Sequence, residues 1–183
     1  MKYSKDWLKK EIAENKKIEY LFFYGHAPYE DDTLGKRCMS QWWQARFCDN
    51  LYTYKTAEHY MMVKKAELFN DLKIIDQIVK CDSPKEAKAL GRLVKNFDSV
   101  IWDSNKYKIV KQGNVLKFSQ NQELKNFLLE TGNKVIVEAS PRDVIWGIGM
   151  GETNPKSLNP NTWRGKNLLG FALMEVRDEI NRI

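Results

Sequence analysis

The run Ser83-Pro84-Lys85-Glu86 constrains the fold more than any other stretch of the chain. A serine at the N-cap can accept a hydrogen bond from a first-turn N–H. Proline at the first helical position lacks only a donor that the turn leaves unused, and glutamate at the third can reach back to the cap. A helix therefore starts at Pro84 and continues through Ala87, Ala89 and Leu90. The same reading repeats on both sides. Thr56 caps a helix through Ala57–Phe69, and Asp71 another to about Val79. Segments 104–117 and 121–130 read as helical, the second closing at Gly132, a residue suited to a left-handed C-terminal cap. Ser4 opens a short amphipathic helix over 4–17, with Trp7, Leu8 and Ile12 on one face. The last helix, about 166–181, aligns Leu169, Ala172, Leu173, Val176 and Ile180 on one stripe. Strand composition is confined to 18–24 and 134–139. Residues 25–55, with Gly25, Pro28 and Gly35, read as a long loop with room for one further short strand, and 140–166 is loop-rich. The expected fold is α+β: a mostly helical, compact single domain with a few short strands, not an alternating βαβ chain.

Composition removes several classes of function. The chain has 183 residues, 30 Lys+Arg against 24 Asp+Glu, and a net charge of +6. A hydrophobic share of 43% is that of a folded protein rather than a disordered one. No apolar run approaches the roughly 20 residues that cross a bilayer, so no membrane association is expected. Met1 to Trp7 lacks the apolar core of a secretory signal. Three cysteines, Cys38, Cys48 and Cys81, form no CxxC and suit a reducing, cytoplasmic setting. His26 and His59 have no metal-ligand spacing with them, so neither a metal nor a cofactor is expected.

Three segments carry residues with chemical potential. In Ala57–Ala66, Glu58 and Lys65 are seven residues apart and share a helix face, with the lysine leaning back toward the glutamate. Burial of that face would lower the amine's pKa and make it a nucleophile; a solvated Glu/Lys face is the plainer alternative. In Val137–Gly151, a strand runs into a turn bearing Asp143, Trp146, Gly147 and Gly149. Such glycines let a ligand approach the backbone, or serve a structural turn, and Asp143 equally suits a helix cap. In Asn161–Gly170, Trp163, Arg164 and Asn167 offer a stacking plane, a cation and an amide near a helix start; Trp163 could equally close the core. Trp42 and Trp43 are either a base-stacking wall or core filler. The positive charge argues for an anionic, nucleotide-like ligand.

Taken in order, SQWW, AEHYMMVKKAELFND, KEAKALGR, KFSQNQELKNFLLETG, VEASPRDVIWGIGMG and WRGKNLLGFALMEVRDEI resemble the NADAR (YbiA-like) family over roughly residues 20 to 182. The implied organisation is an N-terminal helical extension over 1–18 and a NADAR/YbiA-like domain over 19–183. The resemblance implies an enzyme, a hydrolase acting on N-glycosyl bonds between a ribosyl phosphate moiety and a base. One branch of the family acts on phosphoribosylamino-pyrimidine intermediates of riboflavin synthesis, and another removes ADP-ribose from modified guanine. The long form of the motif here is closer to the second, and Met62 stands where the short form often has glutamine. Carried over by position, the resemblance implies Glu58 and Lys65 on the helix, Asp143 and Trp146 in the acidic block, Arg92, and Trp163 with Asn167 near the end.

The expected reaction is removal of ADP-ribose from a modified base, with Lys65 as nucleophile and Glu58 and Asp143 as paired carboxylates. Trp146 and Trp43 would hold the base. Arg92 and the amides around Gly147–Gly151, Gly149 among them, would hold phosphate, with Trp163 and Asn167 alongside. The expected partner is an ADP-ribose-type nucleotide or ADP-ribosylated nucleic acid, with the oligomeric state left open. Two alternatives stand beside this: hydrolysis of the riboflavin intermediate, and a non-catalytic reader of ADP-ribose or NAD.

Overall fold

A computed structural model describes residues 1–27, 30 and 33–182. Pro28, one of the expected loop markers, and Ile183, the end of the expected domain, lie outside the described residues. The chain is mostly helical with a few short strands, the expected α+β class. Contacts divide it into two compact units, one comprising Met1–Ser40 with Glu123–Ile183 and the other Gln41–Gln122.

In the first unit, β1 (Tyr20–Phe23) and β4 (Val135–Glu138) pair in parallel, with Tyr20 opposite Val135 and Phe23 opposite Glu138. Val135, Ile136 and Val137 are all buried, so β4 is apolar on both faces, as strands covered on two sides are. One cover is α7 (Leu168–Ile180). It approaches so closely at Gly170 that a Cβ there would lie 2.1 Å from the Ile136 carbonyl oxygen. The stripe expected from Leu169 to Ile180 forms the α7 core face. Helix α6 (Gln122–Glu130) leads into β4 through Gly132, whose φ of +56° is the left-handed turn read from the sequence. Helix α1 (Lys5–Ala13) is capped by Ser4. It is tied down by Lys5 donating to the Trp163 carbonyl at 2.7 Å and by Tyr3 donating to Asp178 at 2.9 Å.

The second unit is built around α2 (Ala57–Leu68), which packs against α3 (Leu72–Lys80), α4 (Pro84–Gly91) and α5 (Ser99–Ser119). Three caps expected from sequence form as drawn: Thr56, Asp71 and Ser83 each accept from the backbone N–H three residues on. Every residue from Ala57 to Val63 is buried, so α2 is a central helix rather than a surface one. Helix α5 starts at Ser99, five residues before the expected position, because Asp98 accepts from the N–H groups of Val100 and Ile101. That turn escapes a periodicity reading because Val100 and Ile101 are exposed.

Within the expected loop lie two strands rather than one, β2 (Phe47–Cys48) and β3 (Thr53–Tyr54), joined as an antiparallel hairpin. Asp49 organises its turn. One oxygen accepts from the Leu51 and Tyr52 N–H groups, and the other from the Tyr54 hydroxyl and the Lys64 ammonium. Burial alone would raise this carboxyl, but those donors outweigh it and lower its pKa from 3.8 to about 2. A carboxylate with a depressed folded-state pKa stabilises the fold above the unfolded value and loses that contribution as pH falls through the folded one. Asp49→Asn should therefore cost about 2 kcal/mol at pH 7, and the gap to the wild type should close between pH 4 and pH 2. Urea titrations across that range would show it; a gap independent of pH would contradict the assignment.

Candidate functional site

Helix α2 presents adjacent lysines to different surroundings. Lys64 pairs with Asp49 at 2.9 Å and Glu67 at 2.8 Å. Burial would lower its pKa, yet its hydrogen bonds to these two carboxylates raise it overall. Lys65 turns the other way. Its Nζ donates to the Gly91 carbonyl at 2.7 Å and lies 4.2 Å from the Phe97 ring centroid and 5.7 Å from that of Trp102. The amine is half-buried, and desolvation, with Arg92 as the second cause, lowers its pKa. No salt bridge to Lys65 occurs among the described residues. A carbonyl dipole and two ring faces hold a cation less firmly than a carboxylate does, so Lys65 is the better placed of the two to expose a free amine.

The receiving carbonyl is set by packing. Gly91 ends α4 against α2, where a Cβ would sit 2.1 Å from Met62 Sδ and 2.9 Å from its Cγ. Arg92 follows as the exposed C-cap residue and acts on Lys65 through its charge. Glu58 sits in the first turn of α2, 5% exposed, and its N–H donates to the Gln41 carbonyl at 2.9 Å. A solvated Glu/Lys face is therefore not what α2 carries. Trp43 is half-buried in the turn after Gln41, and Lys88 lies over the neighbouring Trp42 ring at 5.8 Å. His59 is fully buried and faces partners on both ring nitrogens. Burial lowers its pKa, its Nδ1 faces the Thr56 hydroxyl at 2.8 Å, and its Nε2 faces the Cys81 carbonyl at 3.3 Å.

In the other unit, the expected residues lie on one closely bonded loop. Asp143 caps its own turn, one oxygen accepting from the Ile145 and Trp146 N–H groups at 2.8 and 2.7 Å. No helix follows, so the helix cap that the sequence left open becomes instead the cap of a loop turn, and it aims a half-buried Trp146. Residues 144–148 pair with 165–169 through five backbone bonds, among them Asn167 N–H to Gly147 carbonyl and Leu169 N–H to Trp146 carbonyl, both 3.1 Å. Asn167 is fully buried. Its Nδ2 donates to the Ile136 carbonyl and its Oδ1 accepts from the Glu138 N–H, each at 2.9 Å, fastening the loop to β4. Trp163 is 3% exposed and donates through its indole nitrogen to the Ser157 carbonyl at 2.7 Å, the core-closing arrangement. Gly149 has a φ of +71°, and its carbonyl accepts from Arg164. Gly147 lies where a Cβ would meet the Glu138 carbonyl oxygen at 2.8 Å, so close backbone approach by itself requires a glycine here.

Sequence reading missed Phe97, Trp102 and the Gly91 carbonyl. A signal for the rings was present. Phe97 stands just before the Asp98 cap and Trp102 four residues after it, the spacing of a hydrophobic staple. Nothing in the sequence says that the pair would flank Lys65.

Comparison with known proteins places the arrangement. The solved NMR structure of the Escherichia coli protein YbiA superposes with a TM-score of 0.70 at 27% identity, covering 90% of this chain and 86% of that one. The N-glycosidase R617 of Acanthamoeba polyphaga mimivirus is 46% identical over 166 residues, 88% of this chain and 96% of that protein. The maize chloroplastic riboflavin biosynthesis protein PYRR is 35% identical over 136 residues, 70% of this chain but 20% of that protein. Fold and relatives together define the class: an enzyme of the N-glycosidase type, a hydrolase acting on N-glycosyl bonds. A NADAR domain model matches residues 22–181, and the chain belongs to the NADAR domain family. Helix α1 lies outside the matched span. Among the described residues no helix is long and apolar enough to cross a membrane.

Two outcomes test this geometry. At pH 8 a small neutral acylating reagent should modify Lys65 at least about fivefold faster than Lys64, read by peptide mass mapping; equal rates would contradict the contrast. Gly165→Ala would put a Cβ 2.1 Å from the Gly147 carbonyl oxygen and 2.9 Å from Ile148 C and Val144 Cα. Because these are backbone atoms, the loss in urea unfolding should be about 3 kcal/mol.

Proposed function

We propose that this chain removes ADP-ribose from modified guanine by cleaving the N-glycosidic bond, with Lys65 as the nucleophile. The observation that carries the proposal is the half-buried Lys65 amine, lowered in pKa and held by a carbonyl rather than a carboxylate. Its Nζ lone pair attacks the anomeric carbon, and the bond from that carbon to the base breaks. The base leaves with the bonding electrons and takes a proton. Opening of the ribose ring then breaks the bond from the anomeric carbon to the ring oxygen, which becomes a hydroxyl, and an imine to Lys65 remains. Water adds to the imine, the amine departs, and the freed aldehyde recloses as ADP-ribose.

Glu58, almost wholly buried in the first turn of the same helix, moves the protons of these steps. The Asp143 oxygen not used by its turn stabilises cationic character at the sugar carbon or activates water. Trp146 and Trp43 hold the base, Arg92 and the backbone around Gly147 and Gly149 hold phosphate, and Trp163 and Asn167 keep the 144–167 loop in shape. The net charge of +6 favours such an anionic substrate. The similarity to the maize riboflavin protein supports a second reading, hydrolysis of a phosphoribosylamino-pyrimidine.

A head-to-head assay on ADP-ribosylated guanosine and on that pyrimidine separates the readings. Release from the first should exceed release from the second by at least about tenfold; the reverse order assigns the riboflavin-type substrate, and binding without release assigns a reader. Borohydride added during turnover should trap a sugar adduct on Lys65, and Lys65→Ala should lose at least about 10³-fold in kcat. An active Lys65→Ala with no adduct would sink the imine. The carboxylates would then be the catalysts, with Glu58→Gln and Asp143→Asn the inactive variants.

A further inference from the structure

The turn that opens α2 depends on a buried amide pair that the reaction scheme does not use. Asn114, fully buried in the middle of α5, donates from Nδ2 to Gln41 Oε1 at 2.7 Å and to the Val110 carbonyl at 2.9 Å. Gln41 is 9% exposed, and its backbone carbonyl accepts the Glu58 N–H at 2.9 Å. That N–H is one of the first-turn donors a helix cannot satisfy internally. Thr56 takes the next one, from His59, so Gln41 supplies a second fixed point of the turn. A continuous path therefore runs from α5 through Asn114 and Gln41 to the backbone of Glu58.

The pair is poorly made by the standards of a stabilising contact. Gln41 Nε2 and Asn114 Oδ1 are both buried and have no hydrogen-bond partner among the described residues. A buried donor and a buried acceptor left open each cost stability, whereas two apolar side chains of similar shape would cost little. Exchanging the two amides end for end does not help, because Asn114 must keep its nitrogen toward the Val110 carbonyl. The bond is thus directional and expensive, which is the signature of a group kept for what it positions.

We propose that Gln41 and Asn114 are positioning residues for Glu58: they hold the carboxylate in the first turn of α2 and contribute nothing net to stability. This inference rests on the reading of Glu58 as a member of the active site. Replacing Asn114 alone strands the whole Gln41 amide, whereas replacing both residues removes every open polar atom of the pair. The two variants therefore separate folding from function.

Asn114→Leu should lower the melting temperature by about 3–8 °C. The double variant Gln41→Met/Asn114→Leu should return to within about 2 °C of the wild type or above it. In the double variant, hydrogen exchange at the Glu58 N–H should still be at least about fivefold faster. Its kcat on ADP-ribosylated guanosine should be at least about tenfold lower, with KM within about twofold. Wild-type Glu58 exchange in the double variant, or a double variant as unstable as the single, would overturn the positioning role, and neither readout needs turnover. Lys65→Ala run in parallel keeps the two claims apart. If it stays active while the double variant loses kcat, the Lys65 mechanism fails and the positioning role stands. If it is inactive while the double variant keeps full kcat, the positioning role fails alone.

Discussion

Everything in the Gln41–Gln122 unit follows from α2 having no side left for water over its first two turns. A helix enclosed by α3, α4 and α5 must give each polar residue a partner inside the protein or leave its charged form at a disadvantage. Lys64 is compensated by two carboxylates and stays a firm ammonium. Lys65, one residue on and turned about 100° around the axis, meets a carbonyl and two aromatic faces instead. The contrast between neighbouring lysines is a product of packing. Gly91 belongs to the same logic. Its missing side chain lets α4 come against Met62, and that approach brings the accepting carbonyl within reach of Lys65.

The other unit solves a different problem, holding an irregular loop still. Loops with few regular hydrogen bonds drift unless side chains pin them. Here Asp143 pins the turn at one end, Asn167 pins the other end to β4, and five backbone bonds join segments 144–148 and 165–169. Trp146 is carried on that frame. Gly147, which read as part of a ligand cradle, serves this frame as well: it and Gly165 allow backbone to meet backbone at distances a Cβ would forbid. Stability of this loop therefore rests on side chains at both its ends, and only Asp143 keeps a side-chain oxygen that its turn does not use.

What could be read in advance was local. Ser83, Thr56, Asp71 and Ser4 marked helix starts correctly because a cap interacts only with the turn it opens. Gly132 marked an end for the same reason. The motif blocks were enough for the family, since they keep their order along the chain. The hairpin at 47–54 was not legible, because strands of two residues carry no alternation to detect. The early start of α5 was hidden by apolar residues that face solvent.

The amino-acid sequence by itself determined which segments are helical, where the capped ones at Ser4, Thr56, Asp71 and Ser83 begin, which family they build, and that Glu58 and Lys65 share one helix face. Only the tertiary structure decided what that face meets. It set Lys65 against Gly91, Phe97 and Trp102, gave Lys64 to Asp49 and Glu67, turned Asn167 and Trp163 inward, and suspended Glu58 from Gln41 and Asn114. The physical reason is one of range. Capping and periodicity act within a turn or two of helix, whereas desolvation and the choice of partner depend on atoms many residues distant along the chain that packing brings alongside.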